Sequence, residues 1–262
     1  MGSISIVQMG LDQLLSITSL HNDLKEFIIG LITAFIAMIA YTFFLKFYEK
    51  RSITELNKKG IFKNLVYGIS LGMLLQSLTI LVIYLNGGYS IVTLNPVLFI
   101  FPPLTMAFTS AIFEEILFRG ILFRVIEDKL GSYLSLLISA LIFGFIHIAN
   151  PNSSFVTAVG LAIQAGLLLG AAYIYAKNLW FPIAIHFAWN FTQSAIFGAN
   201  VSGNTISKTL ITSKITGSEW FTGGPFGPEG SIQATVFCLV TTIALLFFSH
   251  KKGNIVKPYW KL

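Results

Sequence analysis

The chain has 262 residues, 55% of them hydrophobic and only 11% charged, with a mean hydropathy of +0.77. Soluble globular domains carry roughly 25% charged residues, so an ordinary water-facing domain is excluded and lipid is the implied solvent. The formal net charge of +6 does not point to nucleic acid, because the basic residues gather at the ends of apolar runs, where positive charge orients a chain in a bilayer.

Residues 1–26 are a polar N-terminal segment with no basic stretch ahead of a short apolar run, so no secretory signal is expected. A spanning helix needs about 20 mostly apolar residues. Seven stretches qualify: 27–45, 64–85, 96–118, 133–149, 155–176, 181–198 and 232–249. The expected fold is an all-α membrane protein, a polytopic bundle of about seven transmembrane helices, with six to eight compatible with the pattern. These form one domain over 27–250, without internal repeat, followed by a basic cytoplasmic tail over 251–262. The last residues, Tyr259-Trp260-Lys261-Leu262, carry no lipidation motif.

Charge in the connections sets the orientation. Segment 46–63 holds Lys46, Lys50, Arg51, Lys58, Lys59 and Lys63; segment 119–130 holds Arg119, Arg124 and Lys129; the tail holds Lys251, Lys252, Lys257 and Lys261. Connections 86–95 and 150–154 have no Lys or Arg, and 199–231 has only Lys208 and Lys214. The alternation puts the N-terminus outside and the C-terminus in the cytoplasm, and the compact length and short loops suit a bacterial plasma membrane. In the fifth stretch Gly160, Ala162, Ala165, Gly166, Gly170 and Ala171 read as close helix packing. The single cysteine, Cys238, rules out an intrachain disulfide. The loop 199–231 reads as a connection rather than a substrate gate.

Two carboxylates interrupt the third stretch. An ionised side chain at the bilayer centre costs about 2.5–3.5 kcal/mol on insertion scales, and Glu114 and Glu115 are adjacent there. Residues four apart share a helix face, which aligns Glu115 with Arg119 as an internal ion pair. Glu114 is left facing Ser110 and Phe118, which marks it as the group with another task. Phe143 lies four residues before His147, positioned to pack on its ring, and His186 shares a face with Asn190. Trp189 falls on another face and reads as packing. Gln164 is the nearest comparable polar residue elsewhere.

One carboxylate and two imidazoles, Glu114, His147 and His186, have two chemistries open to them. They suit Zn²⁺ or another divalent metal with an open fourth position, or metal-free general base catalysis on water. Asn190 is placed to donate a hydrogen bond to an oxyanion, worth roughly 3 kcal/mol in comparable sites. Hydrolysis is the implied chemistry. No intramembrane Asp or nucleophile elbow supports a serine triad, and His-Glu-x-x-His is absent.

Glu114-Glu115-x-x-x-Arg119, Phe143-x-x-x-His147 and His186-x-x-x-Asn190 together resemble the three motifs of the CAAX-protease and bacteriocin-processing (Abi, CPBP) family, which includes the Ras-converting CAAX endoprotease and lysostaphin-resistance-like proteins. The resemblance covers about residues 95–198. It implies an intramembrane endopeptidase acting on a membrane-associated peptide or protein, in bacteriocin or peptide processing or in self-immunity. By that resemblance Glu114, assisted by His147, activates water, His186 and Asn190 hold the oxyanion, and Arg119 holds Glu115 in place. The resemblance allows both the metal and the metal-free mechanism. Two other classes compete: a non-catalytic immunity or regulatory protein that binds a peptide, and a proton-coupled transporter. At 1.5 Å per residue these spans put the motif residues on the order of 15 Å apart in depth, which is too wide for one site unless the helices sit differently.

Overall fold

The computed structural model describes residues 11, 13, 15 and 18–261. Most of the N-terminal segment before residue 18 therefore lies outside the described residues. Each of the seven expected stretches is helical over nearly its whole length, and the chain is an all-α polytopic membrane protein. Large side chains such as Phe35, Phe47, Leu85 and Val240 stand more than half exposed around it, as lipid-facing surface requires.

Helix α1, Asn22–Phe43, begins five residues before the expected start at 27. His21 caps it by accepting from the Asp23 N–H, and Lys208 pairs with the buried Asp23 at 2.8 Å. A polar start is thus held by partners that lie far along the chain. The helix runs on as a π-helical turn, Phe44–Tyr48, into the basic connection. There Glu55 is buried between Arg51 and Arg124, and Tyr41 Oη donates to Gly120 O at 2.9 Å. The charges of this connection are therefore cross-linked to the third span.

Helix α2, Ile61–Leu85, is followed by strand β1, Tyr89–Leu94. β1 pairs antiparallel with β2, Ile211–Ile215, inside the 199–231 loop. The sequence reading has no strand here. The run Tyr-Ser-Ile-Val-Thr-Leu is rich in aromatic and β-branched residues that favour strands, but six residues beside an apolar helix do not declare their partner.

Helix α3, Phe101–Glu115, with Pro102 in its first turn, continues as a π-helical turn, Ile116–Phe123, and then as α4, Arg124–Ile146. The two expected spans follow one another without an intervening loop over Val97–Ala149, and are separated at Gly131, where the backbone leaves the helix (φ 74°, ψ 171°). Helix α5, Phe155–Leu161, starts from a Ser154/Thr157 capping box. It passes through the π-helical turn Ala162–Leu167 into α6, Leu168–Ala176. Helix α7, Trp180–Phe191, extends as a π-helical turn through Ile196 and is short for a full crossing at about 20 residues. Helix α8, Ile232–Lys251, closes the bundle.

The centre of the bundle is α7, which packs on α2, α3 and α6 and is buried at His186, Trp189 and Asn190. Glycines let it in: a Cβ on Gly68 or Gly72 of α2 would meet the α7 backbone at Phe181 and Ile185. The small residues of the fifth stretch are packing, as the sequence reading expects, since Gly166 lies against Ala140 and Gly170 against Leu136.

Candidate active site

The two carboxylates at the end of α3 are in different environments. The Glu115 side chain is fully buried, whereas Glu114 keeps 28% of its side chain exposed. Arg119, one helical turn on, donates from Nη1 to Glu115 Oε1 at 2.8 Å. Its Nη2 donates to the carbonyls of Ala165 and Gly166, both at 3.1 Å, in the π-helical turn of the fifth span. The guanidinium carbon lies 4.7 Å from the centroid of Phe143, within cation–π range. A fully buried cation is tolerable only with all of these partners.

Phe143 stands at the centre of the motif side chains. Its ring centroid is 4.8 Å from that of His147, 6.3 Å from His186 and 4.9 Å from Phe118. His147 follows the last residue of α4, and its Nδ1 lies 2.6 Å from Phe143 O. A carbonyl only accepts, so Nδ1 carries a proton and Nε2 is turned towards Glu114. His186 places Nδ1 3.1 Å from Glu115 Oε1, which holds its ring the same way round. The two Nε2 atoms then face one oxygen: Glu114 Oε2 lies 3.8 Å from His147 Nε2 and 3.9 Å from His186 Nε2. That oxygen has no hydrogen-bond partner. Asn190 Nδ2 donates to Ser110 Oγ at 3.1 Å, on the face below Glu114.

The depth separation of about 15 Å expected from the sequence is not found. The segment after His147 is roofed by the 199–231 loop: Asn150 Nδ2 donates to Ser202 O and Asn152 Nδ2 to Gly203 O. The short α7 brings His186 towards the middle of its own run. The groups meet in a cavity of about 180 Å³, room for several waters.

The roof also corrects two sequence readings. The 199–231 loop is more than a connection, since Val201, Ser202, Asn204 and Glu229 line the cavity. Trp189 is more than packing, since its Nε1 donates to Glu229 Oε2 at 3.2 Å. Glu229 sits in the turn Pro228–Gly230, is 2% exposed, and also accepts from the Ser202 N–H. Burial pushes its pKa up to about 7, although the Ser202 and Trp189 donors pull the other way. Sequence reasoning passed over it as a loop acid. The available signal was a lone carboxylate inside Phe-Gly-Pro-Glu-Gly-Ser, immediately before an apolar span.

A metal is not accommodated as the side chains stand. Tetrahedral zinc, with bonds near 2.0–2.1 Å, holds its ligand atoms about 3.4 Å apart. Among the described residues no three His, Cys, Asp or Glu groups are arranged to hold a metal ion.

A helical membrane bundle with carboxylates and imidazoles converging on an internal cavity defines the class. Residues 95–192 match the family model described as Rce1-like, type II CAAX prenyl endopeptidase Rce1-like. Over that segment the chain is similar to the CAAX-protease family, in line with the motif resemblance. The chain is also 35% identical over 81 residues to a protein of Bacillus subtilis (strain 168) described as a putative membrane peptidase, YdiL. That match spans 30% of this chain and 30% of the relative's length. No solved structure matches.

Proposed function

We propose that the chain is an intramembrane endopeptidase that hydrolyses a peptide bond in a membrane-associated peptide or protein with water activated by Glu114 and His147. The observation that carries the reading is the convergence of both Nε2 atoms on the unpartnered Glu114 Oε2 within 3.9 Å. A water placed between Glu114 and His147 Nε2 donates one hydrogen to each. Glu114 takes a proton as the oxygen attacks the scissile carbonyl, and later returns it to the leaving amine.

His186 with both ring nitrogens protonated donates from Nε2 to the developing oxyanion, its second proton held by Glu115. Arg119, Glu115, His186 and Glu114 then sum to zero charge, which suits a site removed from bulk water. Asn190 has a second amide hydrogen beyond the one given to Ser110, and donates it to the same oxyanion. No step in this scheme runs through a metal.

The family description, the YdiL description and the lipid-facing surface support this reading. The proposed setting is a bacterial plasma membrane with the N-terminus outside and the tail in the cytoplasm. The proposed substrates are small secreted peptides handled in processing or self-immunity. A proton-coupled transporter is disfavoured because the ionisable groups gather at one cavity instead of stringing along a pathway. The test is Glu114→Gln in purified protein in liposomes, scored on membrane-anchored peptides. Turnover should vanish while the fold holds. Undiminished cleavage by the folded variant would leave peptide binding, without catalysis by Glu114, as the better account.

A further inference from the structure

Gln164 lies in the π-helical turn Ala162–Leu167, is 2% exposed, and forms part of the cavity wall. Its Nε2 donates to Thr235 Oγ1 of α8 at 2.6 Å. The Thr235 hydroxyl in turn donates to Ser231 O at 3.2 Å. A hydroxyl has one proton, so Thr235 can only accept from Gln164, and this fixes which end of the amide faces α8. The other end, Oε1, is buried and has no hydrogen-bond partner.

The turn cannot easily relieve this acceptor by shifting. The next two carbonyls, Ala165 and Gly166, are held by Arg119 Nη2, the same side chain that anchors Glu115. π-Helical turns recur at functional sites because they aim a side chain that a regular helix would stack. A buried water needs two to four polar partners. The lining that the helix of Gln164 itself contributes on either side of it, Leu161, Ala165 and Leu168, is apolar. The surroundings suit a single N–H donor flanked by apolar groups.

We propose that Gln164 is a substrate-positioning residue whose Oε1 accepts one backbone N–H of an extended peptide, beside an apolar side chain seated against Leu161 and Leu168. The inference rests on the peptidase reading and adds to it: the substrate is held by its main chain, and the selected feature is an apolar residue with a free N–H. The Glu115–Arg119 pair then serves both halves of the site, orienting His186 on one side and the Gln164 turn on the other.

The probe is a palmitoylated, fluorescein-labelled decapeptide of Leu, Ala and Ser, with a set in which each backbone N–H in turn is replaced by N-methyl. Affinity is read by anisotropy on full-length Glu114→Gln protein, which does not consume the peptide, with and without Gln164→Met. One N-methyl position should weaken binding about tenfold, the usual size of one lost hydrogen bond. Gln164→Met should weaken the unmodified peptide by a similar factor and make that same N-methylation cost nothing further. Thr235→Val, which frees the amide to turn over, should blunt the penalty at that position alone. Additive penalties at every position, equal affinities with and without Gln164, or no binding of the whole set would overturn the assignment. Cleavage of the same peptides by the unsubstituted protein is scored separately. Coincident penalties without any cleavage would sink the peptidase reading and leave Gln164 as a peptide-binding residue.

Discussion

His186 points Nδ1 at Glu115 Oε1, 3.1 Å away, and that same oxygen accepts from Arg119 Nη1 at 2.8 Å. One carboxylate oxygen therefore orients a cation on its own helix and an imidazole on another. From the four-residue spacing Glu115 reads as mutual support with Arg119 alone. In the structure it is also the link between the α3 pair and the His186 side of the cavity.

Glu115→Gln separates these two duties. Neutralising the carboxylate partner of a catalytic His lowers turnover on the order of 10⁴-fold where it has been measured, and the role proposed for His186 predicts a loss of at least 10²-fold here. Stability should fall by about 3–5 kcal/mol, because the buried guanidinium loses its counter-charge. Adding Arg119→Met to the same protein should restore much of the stability, since it removes the stranded charge, but none of the turnover. Thermal unfolding and kcat measured on the two variants decide the matter. Turnover that returns together with stability would make Glu115 a purely structural residue.

Glu229 predicts a pH dependence of stability. Its carboxyl is raised from an ordinary 4.5 to about 7, first by burial, so the folded protein favours the neutral form. The resulting stabilisation is fully present below pH 4.5 and is lost as pH rises through 7, an effect on the order of 3 kcal/mol. Glu229→Gln keeps an acceptor for Ser202 or Trp189 and removes the titration. The melting temperature of the variant, relative to the unsubstituted protein, should climb between pH 5 and pH 8. Parallel curves across that range would show that Glu229 is not held neutral by burial.

The motif residues were legible in the sequence because an ionisable group inside an apolar run carries an insertion cost that needs a reason. Helical spacing alone paired Glu115 with Arg119, placed Phe143 against the His147 ring and put His186 on one face with Asn190. Depth was not legible. Nothing local to His147 says that Ser202 and Gly203, more than fifty positions away, fold back over the end of α4. The same reason hid Glu229 and the role of Trp189, which acquire their meaning only when the roof closes. The β1–β2 ribbon was hidden likewise, because pairing between residues 89 and 215 leaves no local periodicity. In Gln164 the residue was visible, but its orientation depends on a hydroxyl of α8.

The spacing around Glu114 also bears on metal dependence. Separations of 3.8 and 3.9 Å from Oε2 to the two Nε2 atoms exceed the ligand spacing of a tetrahedral ion. Treatment with 1,10-phenanthroline or EDTA, followed by desalting, should therefore leave peptide cleavage within about twofold of the untreated protein. A loss of activity that added Zn²⁺ reverses would show that the side chains close around a metal in the working enzyme.

Gly144 tests whether the crossing of α4 and α5 sets the position of His147. A Cβ at Gly144 would meet Ala158 O and stand 2.6 Å from Ala162 Cβ, both rigid parts of the neighbouring helix. Gly144 is three residues before His147, so separating the helices moves the imbalance directly onto the Nε2–Glu114 spacing. Gly144→Ala should cost about 1–3 kcal/mol by overpacking, even though Ala is the better helix former by nearly 1 kcal/mol. It should also lower kcat more than it raises KM, because the pair proposed to activate water is what shifts. Gly160→Ala is the matched control in the facing helix: its new Cβ has an ordinary contact, 3.5 Å from Gln164 Nε2, and the propensity gain should leave the protein as stable or more so. If both alanines behave alike in unfolding temperature and in kcat, the close approach at Gly144 does not position His147.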